Sequence, residues 1–460
     1  MPLRGGSEGG RPPSHATSRS PDRARRLAFD ALRRVSSDGA YANLVLAELL
    51  DARRLPARDA AFATELLAGT CRALGTYDLV VAAASGRPTT SLQPAVLDLL
   101  RLGCHQLLAT RVPVHAAVAA TVDLAAATVG RRVTGLVNAV LRRVAEHDLA
   151  GWVDRLTAGA DERDRLAVAT AHPRWVVDAF ADVLPEMELA AALHADNAYA
   201  GVTLAVRPGL ADVGELTGAG AEPGRYSPYA ARWTGNPADL PAVREGRAGV
   251  QDEGSQLVAA ALARVGAPVG PWLDLCAGPG GKTALLAGLA GPEEPLVAAE
   301  VAPHRALLVR QAVRAYPSSP AVLVADGTRP AWRPAAYARV LVDAPCTGLG
   351  ALRRRPESRW RHQPTDVEPL HRLQVALLAT AIDSTAAGGV VGYVTCSPHR
   401  RETVDVVAET LAGRDDVTVV PADRLLPASV EDGTIGDFVQ LWPHRHGTDA
   451  MFAAYLRRRG

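Results

Sequence analysis

LDLCAGPGGKT, Leu273 to Thr283, is the stretch that decides the fold. Trp272 to Leu275 reads as a short buried strand, Cys276 to Gly281 as a turn, and Lys282 onward (ALLAGLA) as a helix. Strand, glycine turn and helix in that order form a cradle in which backbone N–H groups and a helix N-terminus face a nucleotide-like ligand. Two phosphate-gripping versions fail on spacing. A P-loop needs glycine at the position of Cys276, and the dinucleotide fingerprint, satisfied by Gly278 and Gly280, needs its third glycine at Thr283. A nucleotide-type ligand with no phosphate chain remains, and S-adenosylmethionine is the first candidate.

Working outward, Leu296 to Ala299 is a second apolar run ending in Glu300, where a dinucleotide fold places the carboxylate for a ribose hydroxyl pair. Ala321 to Ala325 ends in Asp326, and RVLVDAPC ends in Asp343 and Cys346. Apolar runs separated by helical segments and ending in polar residues describe a parallel sheet with its ligand groups at the strands' carboxyl ends. A fifth run, GGVVGYVTCSP, ends in Thr395-Cys396-Ser397.

The 460 residues allow two or three domains, and 48% apolar with 22% charged residues is an ordinary globular balance. No apolar run reaches membrane-spanning length, so a soluble, cytoplasmic, membrane-free protein is expected. The five cysteines lie far apart without a CxxC pair, which indicates neither a metal site nor a disulfide framework. Residues 1–150 carry 19 arginines against 13 acids, a mild sign of nucleic acid. The chain's only lysine is Lys282, inside the glycine turn, among 50 basic residues. A lysine kept where arginine serves everywhere else suggests a place that needs a compact ammonium.

Residues 1–20 read as a disordered tail, and from Pro21 helical spacing runs without β-alternation to about Val144, an all-helical domain over 21–150. Residues 165–248 read as a small mixed α/β subdomain and 249–460 as the catalytic domain, with Asp252 or Ser255 capping its first helix. After Cys346, GLGALRRRPESRWR holds five arginines and one glutamate. Arg353, Arg354, Arg355, Arg359 and Arg361 with Trp360 read as a loop that grips RNA phosphates and stacks a base.

DAPC (Asp343 to Cys346), TCS (Thr395 to Ser397) and the glycine turn together resemble the RNA cytosine-5 methyltransferases of the RsmB/Nop2/Sun family. The resemblance runs from about Trp175 to the C-terminus, and the front domain is similar to the NusB-like domain of the family's bacterial 16S ribosomal RNA member. Supporting stretches are RDAAFATELLAGTCR, GLVNAVLRRV, VQDEGSQLV, RRRPESRW and WPHRHGTDAMF. The chain departs from the family pattern with Gly278 for the usual alanine, Glu300 for aspartate, Asp449-Ala450 for Asp-Gly, and a TCSPHRRET segment that keeps only Glu402 of a Glu-Asn pair.

The resemblance implies a class I, Rossmann-like methyltransferase domain behind the α/β subdomain and the NusB-like helical domain. It implies transfer of a methyl group from S-adenosylmethionine to cytosine C5 in RNA, 16S rRNA first, by a monomer without metal. Cys396 would be the nucleophile, Cys346 would assist product release, and Asp343 and Lys282 would position the base. Backbone from Cys276, Ala277, Gly278, Pro279, Gly280 and Gly281 would hold the methionine part beside Lys282 and Asp343, with Glu300 on the ribose and Asp326 on the adenine amino group. Two alternatives stand beside it: the same chemistry on transfer RNA, and a non-catalytic RNA-binding assembly factor.

Overall fold

The structure, a computed structural model, describes residues 22–460; the tail expected over residues 1–20 lies outside them. The chain divides into two compact units, one reaching Thr70 and including Tyr77–Leu149, the other made of Cys71–Thr76 and Ala150–Gly460.

The described part of the first unit is built from α1 (Arg23–Asp38), α2 (Ala42–Arg53), α3 (Ala57–Arg72), α4 (Leu74–Ser85), α5 (Pro94–Ala109), α6 (Val114–Thr128) and α7 (Thr134–Val144), with the end of α3 and the start of α4 counted in the second unit. α1 shows why. Leu27, Ala28, Ala31, Leu32 and Val35 form one buried stripe, and Asp22 caps the first turn by accepting from the Arg25 N–H at 2.9 Å. Among the described residues of this unit one carboxylate, that of Asp98, is buried. Asp98 of α5 accepts from Arg33 at 2.6 Å and from Arg101 at 2.9 Å, with the Ser36 hydroxyl at 3.1 Å, so its desolvation is met by three donors.

The second unit opens with α8 (Leu149–Leu156), α9 (Glu162–Ala169), α10 (Arg174–Ala181) and α11 (Glu186–Ala195). A four-stranded antiparallel sheet follows, in the order β2 (Glu222–Pro223), β3 (Ala230–Trp233), β1 (Val202–Val206), β4 (Ala248–Val250), with α12 (Val213–Gly218) and α13 (Pro241–Arg244) in its connections. β4 carries its pairing with β1 past residue 248 into the stretch read as the start of the catalytic domain.

Beyond it lie α14 (Glu253–Arg264), β5 (Trp272–Asp274), α15 (Gly281–Leu289), β6 (Leu296–Glu300), α16 (Pro303–Val313), β7 (Ala321–Val324), β8 (Tyr337–Asp343), α17 (Pro364–Ser384) and β9 (Thr385–Thr395). The chain closes with α18 (Val404–Leu411), β10 (Val417–Val420), β11 (Thr434–Ile435), β12 (Phe438–Gln440), α19 (Pro443–His446) and β13 (Phe452–Arg458). β9, β8, β5, β6 and β7 pair in that order, all parallel; β13 adds antiparallel to β9, and β12 and β10 share its far edge. From β5 the chain winds outward through β6 to β7, then returns to β8 on the other side of β5. That reversal opens a crevice beyond the carboxyl ends of β5 and β8, where doubly wound sheets hold ligands. Asp252 is the cap of α14, accepting from the Gly254 N–H at 2.8 Å. Residues 209–249, which show little pattern in the sequence, contain three of the small sheet's strands, each of four residues or fewer and so too short for alternation to register.

Among the described residues no single helix is long and apolar enough to cross a membrane, and no group of three or more His, Cys, Asp or Glu side chains could hold a metal.

Candidate active site

β5 ends in Asp274, whose side chain is fully buried. Its Oδ2 accepts from the Thr283 hydroxyl at 2.6 Å, across the glycine turn, while Oδ1 has no hydrogen-bond partner. Burial, with Asp343 nearby adding repulsion, pushes this carboxyl up to about 7. A buried carboxyl at the foot of the glycine turn, with one oxygen outside any close hydrogen bond and the Cys276 N–H beside the group, gives the cradle an acceptor that suits the cationic, amine-bearing end of S-adenosylmethionine. Asp274 has no place in the reading by sequence; an aspartate at the end of a short apolar strand carries no signal until the turn folds over it.

Glu300, at the end of β6, is buried and turned back towards the turn. Oε2 accepts from the Gly278 N–H and Oε1 from the Ala302 N–H, each at 3.0 Å. Arg305 of α16 lies over the same turn, donating to the Gly278 carbonyl with its guanidinium 3.7 Å from Glu300. A Cβ on residue 278 would stand 2.3 Å from Glu300 Oε2 and 2.9 Å from Arg305 Nε. The backbone there is outside the left-handed region, so space alone demands glycine. In this chain the Glu300 carboxylate stands where a side chain at 278 would come, so the two departures from the family pattern meet at one point. Asp326 is exposed, and its Oδ1 caps its own turn through the Thr328 N–H at 2.9 Å and hydroxyl at 2.7 Å, which hold its carboxyl below the ordinary range.

The crevice brings the other expected residues together. Lys282, in the first turn of α15, places Nζ 2.7 Å from Asp343 Oδ2 at the end of β8. Both are largely shielded, and the pairing keeps the ammonium charged against its own desolvation. β8 and β9 are adjacent parallel strands, so the loops leaving them are neighbours, and Cys346 Sγ lies 3.5 Å from Cys396 Sγ.

The two thiols are not equivalent. A thiol donating to its neighbour favours one thiolate in the pair, and the surrounding charges choose which. Lys282 and Arg355 act on Cys396, whereas Glu402 acts on Cys346. The proton shared with Cys346 and the two cations lower Cys396 below the ordinary thiol range against the opposing effects of burial and Asp343; the same hydrogen bond, burial and Glu402 drive Cys346 well above it. Cys276, the third cysteine here, is raised by burial and three nearby carboxylates and stays a thiol.

The arginine loop divides. Arg359 is fully buried, donating to the Ala171 carbonyl at 3.0 Å and to Asn197 at 2.8 Å. Arg354 binds Asp252 at 2.8 Å, Asp449 at 3.2 Å and the Gly201 carbonyl at 3.1 Å, and Arg353 is turned to Asp449 and the Gly447 carbonyl. The Trp360 indole donates to the Arg72 carbonyl at 3.0 Å and packs on Gly75, both in the Cys71–Thr76 segment of the same unit. The structure thus places protein partners on guanidinium donors of Arg353, Arg354 and Arg359 and on the Trp360 indole N–H, groups that the sequence reading gave to RNA. Arg355 and Arg361 keep exposed surface.

The family model for 16S rRNA methyltransferase RsmB/F matches residues 264–457, and that of the NusB family matches residues 22–146. A Mycobacterium tuberculosis protein named only as a candidate methyltransferase is 52% identical, covering 97% of this chain and 99% of its own. Ribosomal RNA small subunit methyltransferase B of Pseudomonas putida is 34% identical, covering 89% and 92%. Among solved structures, that of PH0851 superposes with a TM-score of 0.81 at 22% identity over 96% of this chain and 99% of that one, which shows the shared fold. With a NusB-type helical front, a doubly wound sheet and a cofactor cradle beside paired thiols, the chain belongs to the RsmB/F family of S-adenosylmethionine-dependent ribosomal RNA methyltransferases.

Proposed function

We propose that this enzyme methylates C5 of a cytosine in 16S rRNA through a covalent bond between Cys396 and the base. The observation that carries the reading is the pair of sulfurs 3.5 Å apart at the ends of adjacent strands, in a field that ionises Cys396 first. Cytosine C5 is a poor nucleophile. Addition of the Cys396 thiolate to C6 moves electron density onto C5, splitting one difficult step into easier ones. S-adenosylmethionine supplies the electrophilic methyl group at that point. Asp343, held by Lys282, faces the base edge and steadies the adduct; transfer of the C5 proton to water returns its electron pair to the C5–C6 bond and expels the Cys396 thiolate, which the Cys346 thiol stabilises by donating a hydrogen bond. The cofactor is assigned to backbone from Cys276 to Gly281, with Asp274 on the methionine end, Glu300 on the ribose and Asp326 on the adenine. The target base must leave its stack to reach sulfurs at the bottom of a crevice.

We assign residues 21–150 to RNA binding, with Arg355 and Arg361 as the phosphate contacts beside the site. Ribosomal RNA is favoured over transfer RNA because relatives along nearly the whole chain are named as small-subunit ribosomal RNA methyltransferases. The test separates the cysteines. Cys396→Ala is expected to abolish both methylation and any RNA adduct, while Cys346→Ala accumulates a denaturant-resistant adduct through Cys396. Adduct in the first variant and none in the second would reverse the roles. Bisulfite sequencing of 16S and transfer RNA from cells with and without the protein identifies the target.

A further inference from the structure

Glu402 lies in the short turn between β9 and α18, with no exposed surface. Its Oε1 accepts from the Thr347 N–H at 2.8 Å and from Gln374 Nε2 at 3.2 Å, and its Oε2 accepts from the Thr347 hydroxyl. Thr347 directly follows Cys346, and its Oγ1 lies 3.1 Å from the hydroxyl of Ser397, which directly follows Cys396. A carboxylate can only accept, so the Thr347 proton points to Glu402 and the Ser397 hydroxyl donates to Thr347. Gln374 of α17 also donates to the carbonyl of Pro345, the residue before Cys346, at 2.8 Å. From β9, the Tyr393 hydroxyl donates to the Glu402 carbonyl at 2.8 Å. On the side of Cys396, the Gly350 N–H donates to the Cys396 carbonyl at 2.8 Å, and a side chain at 350 would meet the Ala450 carbonyl at 2.0 Å.

A buried carboxylate that served stability alone could be satisfied by donors anywhere in the fold. Every donor to this one is either the residue next to Cys346 or a side chain that also grips that residue's loop, and the chain of hydroxyls ends on the residue next to Cys396. We propose that Glu402 is a positioning residue which, through Thr347 and Ser397, holds the Cys346 and Cys396 sulfurs at hydrogen-bonding separation. The inference rests on the reading that these two thiols react, and adds that their spacing is set by a group that touches neither. A base could be attacked by Cys396 in any rotamer that reaches C6. Release assisted by Cys346 needs the second sulfur to stay beside the first, and the clamp supplies that constraint.

The separation can be read without RNA or cofactor. Diamide takes two electrons and two protons from a pair of thiols as their S–S bond forms, and becomes the hydrazine. The rate of Cys346–Cys396 crosslinking in the full-length protein, followed by thiol trapping and peptide mass spectrometry, reports how close the sulfurs are held. Wild type, Glu402→Gln, Glu402→Ala and Thr347→Val are compared, each with its melting temperature. Glutamine can accept from the same N–H groups and donate to Thr347, so crosslinking is expected within about twofold of wild type. Alanine at 402 and valine at 347 break the clamp, and a slowing of roughly tenfold or more is expected, since displacements near 1 Å cost reactions between oriented groups up to ~100-fold. Wild-type rates in Glu402→Ala and Thr347→Val would overturn the proposal. So would a Glu402→Gln rate as slow as that of alanine, which would make charge rather than position the cause. If Glu402→Ala does not fold, the isosteric Thr347→Val and Glu402→Gln decide. Failure of the covalent reading would show instead as undiminished methylation by Cys396→Ala, an outcome that leaves the crosslinking rates unaffected.

Discussion

Replacing Gly278 by alanine tests the cofactor cradle at its tightest point. The new Cβ would lie 2.3 Å from Glu300 Oε2, far inside contact distance, and the backbone of β6 behind Glu300 is fixed by its ladders to β5 and β7. The carboxylate must therefore swing away, giving up its 3.0 Å bond from the Gly278 N–H, or the turn must lift from the sheet. Either loses one buried charge-assisted hydrogen bond and moves the proposed ribose acceptor, a cost of about 1–3 kcal/mol. In a titration with S-adenosylmethionine that is roughly a 5- to 150-fold rise in Kd. Glu300→Asp alone shortens the acid by one methylene, withdraws it from the Gly278 N–H, and is expected to cost a similar amount. The double variant restores the fit, because a shorter acid leaves room for the methyl group. The double variant should then lose less than the sum of the two single losses, by a coupling energy of about 1–3 kcal/mol between residues in contact. Calorimetry on all four proteins measures it. Additive losses in the double variant, or wild-type affinity in Gly278→Ala, would refute the reasoning.

Other outcomes follow from the site. Alkylation of Cys396 by iodoacetamide should rise with pH at lower values than for an ordinary thiol, and Lys282→Met, by removing a nearby cation, should move that rise upward; an unmoved profile would show that the ammonium does not act on the sulfur. Asp274 binds a proton in the folded state up to about pH 7 but in the unfolded chain only near its ordinary value. It therefore favours folding least at and above neutrality, its contribution falling as pH rises from about 4 to 7. Asp274→Asn should flatten that part of the pH dependence of the urea midpoint, and an unchanged slope would remove Asp274 from the account. Arg359→Ala, which leaves buried neutral acceptors unpaired, should lower stability by about 1–3 kcal/mol, measured by chemical unfolding. Arg355→Ala should weaken RNA binding and reduce its salt slope by about 1, measured by filter binding across a salt series; an unchanged slope would remove Arg355 from the proposed phosphate contacts.

The sheet was legible because its signals are local. The glycine turn, the acids closing successive apolar runs and the two cysteine-bearing strand ends each occupy a few consecutive residues. Doubly wound topology then places those ends at one crevice without further information. The arginine loop was not legible for the opposite reason. Charge counting over Arg353 to Arg361 cannot show that Arg354 will meet Asp252 and Asp449, about a hundred residues away on either side, or that Arg359 will close on Asn197. Asp274 and Glu402 escaped for a related reason. Their importance lies in which oxygen is left unpaired and which neighbours the other oxygens hold, and neither is a property of the local sequence.

Lys282 carries the chain's one side-chain primary amine, and it is locked against Asp343 in the floor of the crevice. Acylating labels, reductive methylation and lysine-directed conjugation therefore meet a surface with no side chain to modify. A small amine reagent that does reach Lys282 reports the occupancy of the crevice itself, since cofactor or base would stand in its way. Apart from the chain's α-amino group, the protein offers one amine to label, at its reactive centre, without any engineered residue.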